Sequence, residues 1–270
     1  MRRTKIVATV GPATAAPGPM RQLLEAGVDV VRLNAAHADM DTHSNNARQA
    51  RELAQVLGRS VGVLVDLPGP KIRSGLVVGD AVELESGQEF VLSGHDDGHG
   101  DAQHVATTLP ALAQWARRGD DVYLADGAIV LRVLEAVGDD VRTEVVRGGT
   151  LRSRKGMHLP RAEEHVDPFT DRDARALEMA VAAKVDFLGL SFVRRAEDVE
   201  QVRALLPRRG MRPALIAKIE TASAVDNLAG IINAADGVMV ARGDLGIQMP
   251  ARRVPLLQKE IIRFCNQAGK

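Results

Sequence analysis

Short stretches rich in β-branched residues alternate with longer stretches of helical periodicity along most of the chain. The pattern predicts six strands, at residues 5–10, 28–33, 61–65, 187–191, 214–219 and 237–241. It predicts six helices that follow them, at residues 20–26, 41–57, 171–183, 196–206, 222–234 and 254–268. Such alternation is typical of a parallel sheet with helical connections, and both a barrel and a doubly wound sheet satisfy it.

The alternation of strands and helices is interrupted between about residue 75 and residue 157. The segments there are shorter and extended, and turns rich in glycine separate them. Antiparallel strands are predicted there at residues 82–84, 122–124, 129–133 and 141–146. We therefore predict a discontinuous (β/α) domain at residues 1–74 and 158–270, with a β-rich domain inserted at residues 75–157. The histidine-containing stretch at residues 94–100 has the composition of a solvated loop, which we favour over a metal site.

Composition excludes several classes of function. The chain has 270 residues, and its 35 basic and 35 acidic side chains cancel, which argues against a general binder of nucleic acids or membrane surfaces. The adjacent Arg208 and Arg209 are too few for a nucleic-acid patch, and we predict a solvated loop there. Cys265 is the single cysteine, so a disulfide framework is excluded. No membrane span or signal peptide is recognisable, and we expect a cytoplasmic protein.

Polar side chains lie at the carboxyl ends of the predicted parallel strands: Thr9, Arg32, Asn34, Asp66, Ser191, Lys218, Glu220, Arg242 and Asp244. Residues two apart in a strand share a face, so Arg32 and Asn34 point the same way, as do Lys218 and Glu220. Because a buried, unpaired charge costs several kcal/mol, these groups must meet one another, a metal or a ligand. The carboxyl ends of barrel strands are where such groups form an active site.

The types of charge narrow the chemistry further. Glu220 and Asp244 are the minimal protein contribution to a Mg²⁺ or Mn²⁺ site, since waters and phosphate oxygens usually complete the shell. Arg32 offers a bidentate fork for phosphate or carboxylate, and Lys218 offers a compact positive charge. A metal and cations around an anion suit phosphoryl transfer or enolate stabilisation. Ion pairs that only tie strand ends together are the structural alternative for any single pair.

Six stretches in order carry a resemblance to a known family: TKIVATVGP at residues 4–12, VRLN at 31–34, DLPGPKIR at 66–73, SRKG at 153–156, AKIE at 217–220 and VARGDLG at 240–246. Along its whole length the sequence resembles pyruvate kinase. The resemblance implies an α/β fold of the TIM-type (β/α)₈ barrel class with a small, mobile, β-barrel-like lid inserted after the third strand. It also implies phosphoryl transfer from phosphoenolpyruvate to ADP, giving pyruvate and ATP in glycolysis.

Carried over position by position, the resemblance implies roles for individual residues. Lys218 would stabilise the phosphoryl group in transit, and Arg32 would bind phosphoenolpyruvate with Thr9 and Ser191 near its phosphate. Glu220 and Asp244 would hold Mg²⁺ or Mn²⁺, and the Gly243–Asp244 region would hold the substrate carboxylate. The residues that would face the nucleotide are Pro12, Asn34, His37, Arg73 and the lid residue Lys155. Arg172 stands where the family usually has a lysine.

The monovalent-cation region departs from the family pattern. The family usually has an Asn-x-Ser element and an Asp-Thr pair there, whereas this chain has Ala36 two residues after Asn34, and Leu67 after Asp66. Leu67 retains only its backbone carbonyl as a ligand. Lys71 stands where potassium-dependent members have a glutamate, and a tethered ammonium can replace a bound ion as the local positive charge. We therefore expect that K⁺ is not required.

The pattern stops after six strand–helix units, where the family's seventh strand would begin. We expect a truncated barrel and a fragment of a longer chain, with a homo-oligomer at full length and no nucleic-acid or membrane partner. Two alternatives stay open at this point. One is a lyase or mutase of the wider phosphoenolpyruvate/pyruvate barrel group, which would need no nucleotide-facing lid. The other is a non-catalytic remnant that binds ligands without turnover.

Overall fold

A computed structural model describes residues 3–95, 98–206 and 212–270 of the chain. Asp96 and Asp97 of the histidine-containing stretch, and Arg208 and Arg209, lie outside the described residues. The chain divides into two compact units. The first comprises Met1–Gly69, Pro168–Leu245 and Arg252–Lys270, and the second comprises Pro70–Asp167 and Gly246–Ala251.

The first unit begins with strands and helices in alternation, as the sequence predicts: β1 (Val7–Thr9), α1 (Pro17–Glu25), β2 (Val30–Asn34), α2 (Met40–Val56) and β3 (Gly62–Asp66). Proline in the first turn of α1 suits a helix start because its missing N–H has no intrahelical partner there. The side chain of Asp39 accepts from the backbone N–H of Thr42 and caps α2.

The described part of the second unit contains strands and short α-helices, with a 3₁₀ turn at Val78–Asp80: β4 (Leu76–Val77), β5 (Ala81–Leu84), β6 (Glu89–Ser93), β7 (His99–Gly100), β8 (His104–Ala106), α3 (Leu112–Trp115), β9 (Asp121–Leu124), β10 (Ile129–Val137), β11 (Asp140–Arg147), β12 (Gly149–Arg152), β13 (Met157–His158) and α4 (Pro160–Glu163). Within the described residues, the larger sheet has the order β13-β9-β10-β11-β6-β8 and is antiparallel apart from the parallel pair β6 and β8. Its core includes Phe90, Leu92, Leu124 and Leu131.

Alternation resumes in the first unit with α5 (Asp171–Ala182), β14 (Phe187–Leu190), α6 (Ala196–Leu205), β15 (Ala214–Ile219), α7 (Ala222–Asp226), α8 (Leu228–Ala234), β16 (Gly237–Val240), α9 (Arg242–Gln248) and α10 (Val254–Gln267). The residues of α9 from Gly246 onward are assigned to the second unit. The described strands of this unit form one six-stranded sheet in the order β1-β2-β3-β14-β15-β16, and every pair is parallel. The order follows the chain without the reversal of a doubly wound sheet. The α/β class is confirmed.

The sheet brings all six carboxyl ends of its described strands to one edge. In β2, Val31 and Leu33 are fully buried, whereas Arg32 and Asn34 on the other face are half-buried. Asn34 lies opposite Asp66 in the register of β2 and β3. The predicted sharing of a face by Arg32 and Asn34 is therefore confirmed.

Two local elements differ from the sequence prediction. The helix expected at residues 222–234 is broken at Asn227, whose side-chain amide donates to the carbonyls of Arg194 and Ser223. The segment after β16 turns directly into α9, so Asp244 lies in the first turn of a helix and not on a strand. Separately, no helix of the described ranges combines the length and the apolar character needed to cross a bilayer.

Asp173 on α5 links the segment after β3 to the start of α5 through hydrogen bonds, and we expect its loss to destabilise the fold. Its buried carboxylate accepts from the N–H of Gly69 at 3.0 Å and from the N–H of Thr170 at 2.8 Å. Asp173→Ala leaves these donors without their acceptor, and we expect a loss of about 2–4 kcal/mol in the free energy of unfolding. Urea denaturation of the chain measures it. Asp171→Ala, at an exposed position two residues earlier in the same turn, is the control, with an expected loss below about 1 kcal/mol; equal losses would contradict the assignment.

Candidate active site

Lys218 lies at the centre of the polar cluster at the carboxyl edge of the sheet. It is the fifth residue of β15 and is only 8% exposed. Its Nζ lies 2.8 Å from Glu220 Oε1, 2.6 Å from Ser191 Oγ and 3.2 Å from Asp66 Oδ1. Burial alone would lower the pKa of this ammonium, but the negative charges of Glu220 and Asp66 outweigh burial and raise the pKa. Lys218 therefore stays charged at neutral pH.

Arg32 occupies the neighbouring position on β2. Its Nε donates to Asp66 Oδ2 at 2.8 Å, and its Nη2 donates to the same oxygen. Its Nη1 donates to Thr9 Oγ1 at 2.8 Å, which places Thr9 of β1 beside the guanidinium. The side chain of Arg32 is 26% exposed, while that of Asp66 is 2% exposed. The guanidinium is thus anchored on the buried carboxylate and accessible on its other side.

Ser191 links Lys218 to the segment that follows β3. Its hydroxyl donates to the backbone carbonyl of Leu67 at 2.6 Å. The oxygen then accepts from the ammonium of Lys218, so both functions of the hydroxyl are used. Ser191 is buried and comes directly after β14.

Glu220 and Asp244 form the candidate divalent-metal pair. Glu220 is 2% exposed, and its Oε2 accepts from the N–H of Phe192 at 2.7 Å. Phe192 adopts a φ of 55°, a left-handed conformation that is uncommon for a bulky residue. Burial, followed by the nearby charge of Asp244, raises the pKa of Glu220, although the Lys218 ammonium opposes both.

The donor set fits a hard divalent cation bound mainly through ligand and water oxygens. The described residues contain no group of three or more His, Cys, Asp or Glu side chains placed to hold a metal. Among the described side chains of the cluster there are two cations and three carboxylates, which sum to one net negative charge when all are ionised. A divalent cation would make this sum positive, which suits an anionic ligand.

Asn34 is the last residue of β2, and His37 lies in the segment that follows it. The side-chain oxygen of Asn34 accepts from the N–H of Ala36 at 3.0 Å, so it is engaged within its own turn. Arg172 Nε donates to the carbonyl of Ala35 at 2.9 Å. His43 Nε2 lies 2.6 Å from the carbonyl of His37, and in the described part of the chain its buried Nδ1 has no hydrogen-bond partner.

His43 is a polar residue of this region that sequence reasoning missed. The available signal was its position on α2, where it shares a helical stripe with alanines that are all buried: Ala47, Ala50 and Ala54. A histidine on an otherwise apolar stripe indicates a ring with a specific partner.

Pro12 lies in the exposed turn after β1. Gly243 lies at the start of α9, and a Cβ there would meet no atom within 4 Å.

Lys71, Arg73 and Lys155 belong to the second unit, where they lie in one patch. Arg73 pairs with Gly156 in an antiparallel bridge, and Arg73 Nη1 donates to the carbonyl of Arg154 at 3.2 Å. Lys71 Nζ lies 3.7 Å from Asp126 Oδ1. Lys155 is exposed, and its backbone pairs with Ser74. Three cationic side chains are thus grouped on this unit.

Comparison with known proteins gives one consistent result. The family model described as "Pyruvate kinase, barrel domain" matches residues 1–270. The chain is 40% identical over 268 residues to pyruvate kinase from Thermococcus litoralis, covering 99% of this chain and 56% of that protein. It is 42% identical over 269 residues to pyruvate kinase from Corynebacterium glutamicum, covering 100% of this chain and 56% of that protein.

Pyruvate kinase from Mycobacterium tuberculosis (strain H37Rv) is also 42% identical, over 270 residues that cover 100% of this chain and 57% of that protein. The chain therefore spans little more than half the length of these relatives, at 56–57%.

Proposed function

We propose, since this chain belongs to the pyruvate kinase family, that its first unit binds phosphoenolpyruvate and that the enzyme transfers the phosphoryl group to ADP. The observation that carries the proposal is Lys218, a buried ammonium whose pKa is raised, held beside Arg32 by a shared carboxylate. A buried cation next to an accessible guanidinium suits a phosphoryl group better than a neutral ligand. The products would be pyruvate and ATP.

The proposed architecture is part of a TIM-type (β/α)₈ barrel with the second unit as an inserted lid. The sequential parallel order β1-β2-β3-β14-β15-β16 of the described strands supports the barrel. The insertion follows β3, and the described strands of the second unit form mainly antiparallel sheets. A cytoplasmic location and a homo-oligomeric assembly remain predictions.

In the proposed reaction the side chains of the first unit act by position and charge. Arg32, with Thr9 beside it, would bind the phosphate of phosphoenolpyruvate through the donors that do not face Asp66. Lys218 would stabilise the negative charge on the phosphoryl oxygens in transit. Ser191 would keep the ammonium in place through its hydroxyl.

Glu220 and Asp244 would hold Mg²⁺ or Mn²⁺, and the Gly243–Asp244 region would hold the substrate carboxylate. The metal, when bound, supplies Lewis-acid stabilisation of phosphoryl and enolate oxygens. The open space over Gly243 leaves room for a ligand close to this pair.

We propose nucleotide-facing residues in each unit, taken by itself. In the first unit these are Pro12, Asn34 and His37. Asn34 ends β2, and His37 lies in the following turn, which Arg172 and His43 contact. In the second unit they are Arg73 and Lys155, whose positive charges suit phosphate groups.

Binding of Mn²⁺ tests the metal assignment. We expect the chain to bind Mn²⁺ more tightly when oxalate, an analogue of the enolate, is present, because oxalate supplies ligands that two carboxylates leave open. Glu220→Gln/Asp244→Asn should weaken Mn²⁺ binding by about tenfold or more. Titration followed by electron paramagnetic resonance measures it.

The matched control removes two exposed carboxylates of the same unit, Glu25→Gln/Glu52→Gln, and should leave Mn²⁺ affinity unchanged. Equal Mn²⁺ affinity in the parent and in the Glu220/Asp244 variant would refute the metal site.

A further inference from the structure

Asp66, the last residue of β3, contacts cationic side chains from strands on both sides of β3. Arg32 reaches it from β2, which is the neighbour of β3. Lys218 reaches it from β15, which is separated from β3 by β14. Neighbouring strands lie about 4.8 Å apart, so the Lys218 side chain must cross over β14 to place its ammonium 3.2 Å from Asp66 Oδ1.

Gly189 is the residue of β14 at this crossing. It lies opposite Asp66 in the register of β14 and β3. A Cβ at Gly189 would lie 3.0 Å from Asp66 Oδ1 and 3.5 Å from its Cγ, closer to the oxygen than ordinary van der Waals contact. The space that a side chain would fill is the space into which the carboxylate of Asp66 projects.

The carboxylate also prevents a rearrangement within the cluster. Two like charges repel each other in a poorly solvated site unless an opposite charge lies between them. Without Asp66, the described carboxylate in contact with Lys218 would be Glu220, the candidate metal ligand, at 2.8 Å. The ammonium would then be drawn toward the metal site and away from Arg32.

We propose that Asp66 is a positioning residue that holds Arg32 and Lys218 side by side for an anionic ligand, and that Gly189 provides the space for it. The inference rests on the proposed function and deepens it, because it gives Asp66 a part in placing the two cations instead of holding a monovalent ion. Its contacts support this: Oδ2 accepts twice from Arg32, and Oδ1 lies beside the Lys218 ammonium.

The affinity for oxalate at saturating Mn²⁺ distinguishes two effects of Asp66: the placement of Arg32 and Lys218, and the contribution of its negative charge to the site. Removing a carboxylate makes the site more positive, so charge alone predicts tighter oxalate binding in Asp66→Asn. Positioning predicts the opposite sign, a weakening of about tenfold or more, because the two cations lose their common anchor. Gly189→Ala keeps every charge and displaces the carboxylate, and it should weaken oxalate binding in the same direction.

Two control variants match these changes. Gly230→Ala adds a methyl group in α8, where the nearest atom is 3.7 Å away. Asp236→Asn removes a carboxylate that contacts Arg203 and the N–H of Leu215. Both should bind oxalate as the parent does. Unchanged or tighter oxalate binding in Asp66→Asn, or unchanged binding in Gly189→Ala, would overturn the proposal.

A second measurement does not depend on ligand binding. The Nε–H of Arg32, identified in nitrogen-15 spectra by its absence in Arg32→Lys, should exchange slowly with water in the parent and rapidly in Asp66→Asn and Gly189→Ala. Rapid exchange in the parent, or slow exchange in both variants, would overturn the positioning role. Thermal unfolding reports whether Asp66→Asn folds. If it does not, the oxalate affinity and the Arg32 Nε–H exchange rate of Gly189→Ala test the proposal. A parent that fails to bind oxalate with Mn²⁺ refutes the proposed function, while the exchange rates still decide the role of Asp66.

Discussion

Replacement of Lys218 by methionine should lower kcat for phosphoryl transfer by about 10²–10³, which corresponds to about 3–4 kcal/mol of transition-state stabilisation. The ammonium is buried and held by Glu220, Ser191 and Asp66, so it is preorganised for charge that develops during transfer. Methionine has a similar length and no charge. Because Arg32, the proposed phosphate ligand, is unchanged, we expect the KM for phosphoenolpyruvate to change far less than kcat.

Steady-state kinetics of phosphoryl transfer provides the measurement. Lys259→Met, at an exposed position of α10, is the matched control and should leave kcat and KM near the parent values. If Lys218→Met kept its kcat and only raised KM, Lys218 would be a ground-state binding residue and its assigned role would be wrong.

Activity without potassium is the second expected result. The oxygens that would surround a monovalent ion are engaged by protein donors: Asn34 Oδ1 accepts from the N–H of Ala36, and Asp66 Oδ2 accepts from Arg32. Ala36 has no hydroxyl to offer. We propose that the ammonium of Lys71 supplies the positive charge that an ion provides in potassium-dependent relatives.

The assay varies only potassium, in sodium-free buffer of constant ionic strength. We expect little activation of the parent, and an activation by potassium of about tenfold or more in Lys71→Glu/Ala36→Ser, where a carboxylate and a hydroxyl are restored. Lys259→Glu/Ala36→Ser is the control for introducing a glutamate elsewhere, and it should remain independent of potassium. Activation of the parent by about tenfold or more would contradict the proposal.

Much of the fold was accessible from the sequence because strands and helices are local patterns. The prediction of β15 at residues 214–219 matches its observed bounds, and α5 and α10 end within one residue of the prediction. The break at Asn227 was not predicted, because it depends on a hydrogen bond to the carbonyl of Arg194, which is 33 residues away in sequence. The helical start at Arg242 was also missed, since the two glycines at positions 243 and 246 disfavour a helix.

The sequence by itself determined which residue types stand at the strand ends. A two-residue period places Arg32 and Asn34 on one face, and a parallel sheet brings strand ends to one edge, so a charged cluster followed without coordinates. The family resemblance, now shown by the comparisons, also rested on local motifs.

Only the tertiary structure decided which charges meet. The contact of Lys218 with Asp66 spans two strand spacings and depends on the register that places Gly189 opposite Asp66. The contact of His43 with the His37 carbonyl depends on how the segment after β2 folds back on α2. Sequence spacing carries no information on such contacts, because the energy of a buried ion pair depends on distances of a few ångströms between residues far apart in the chain.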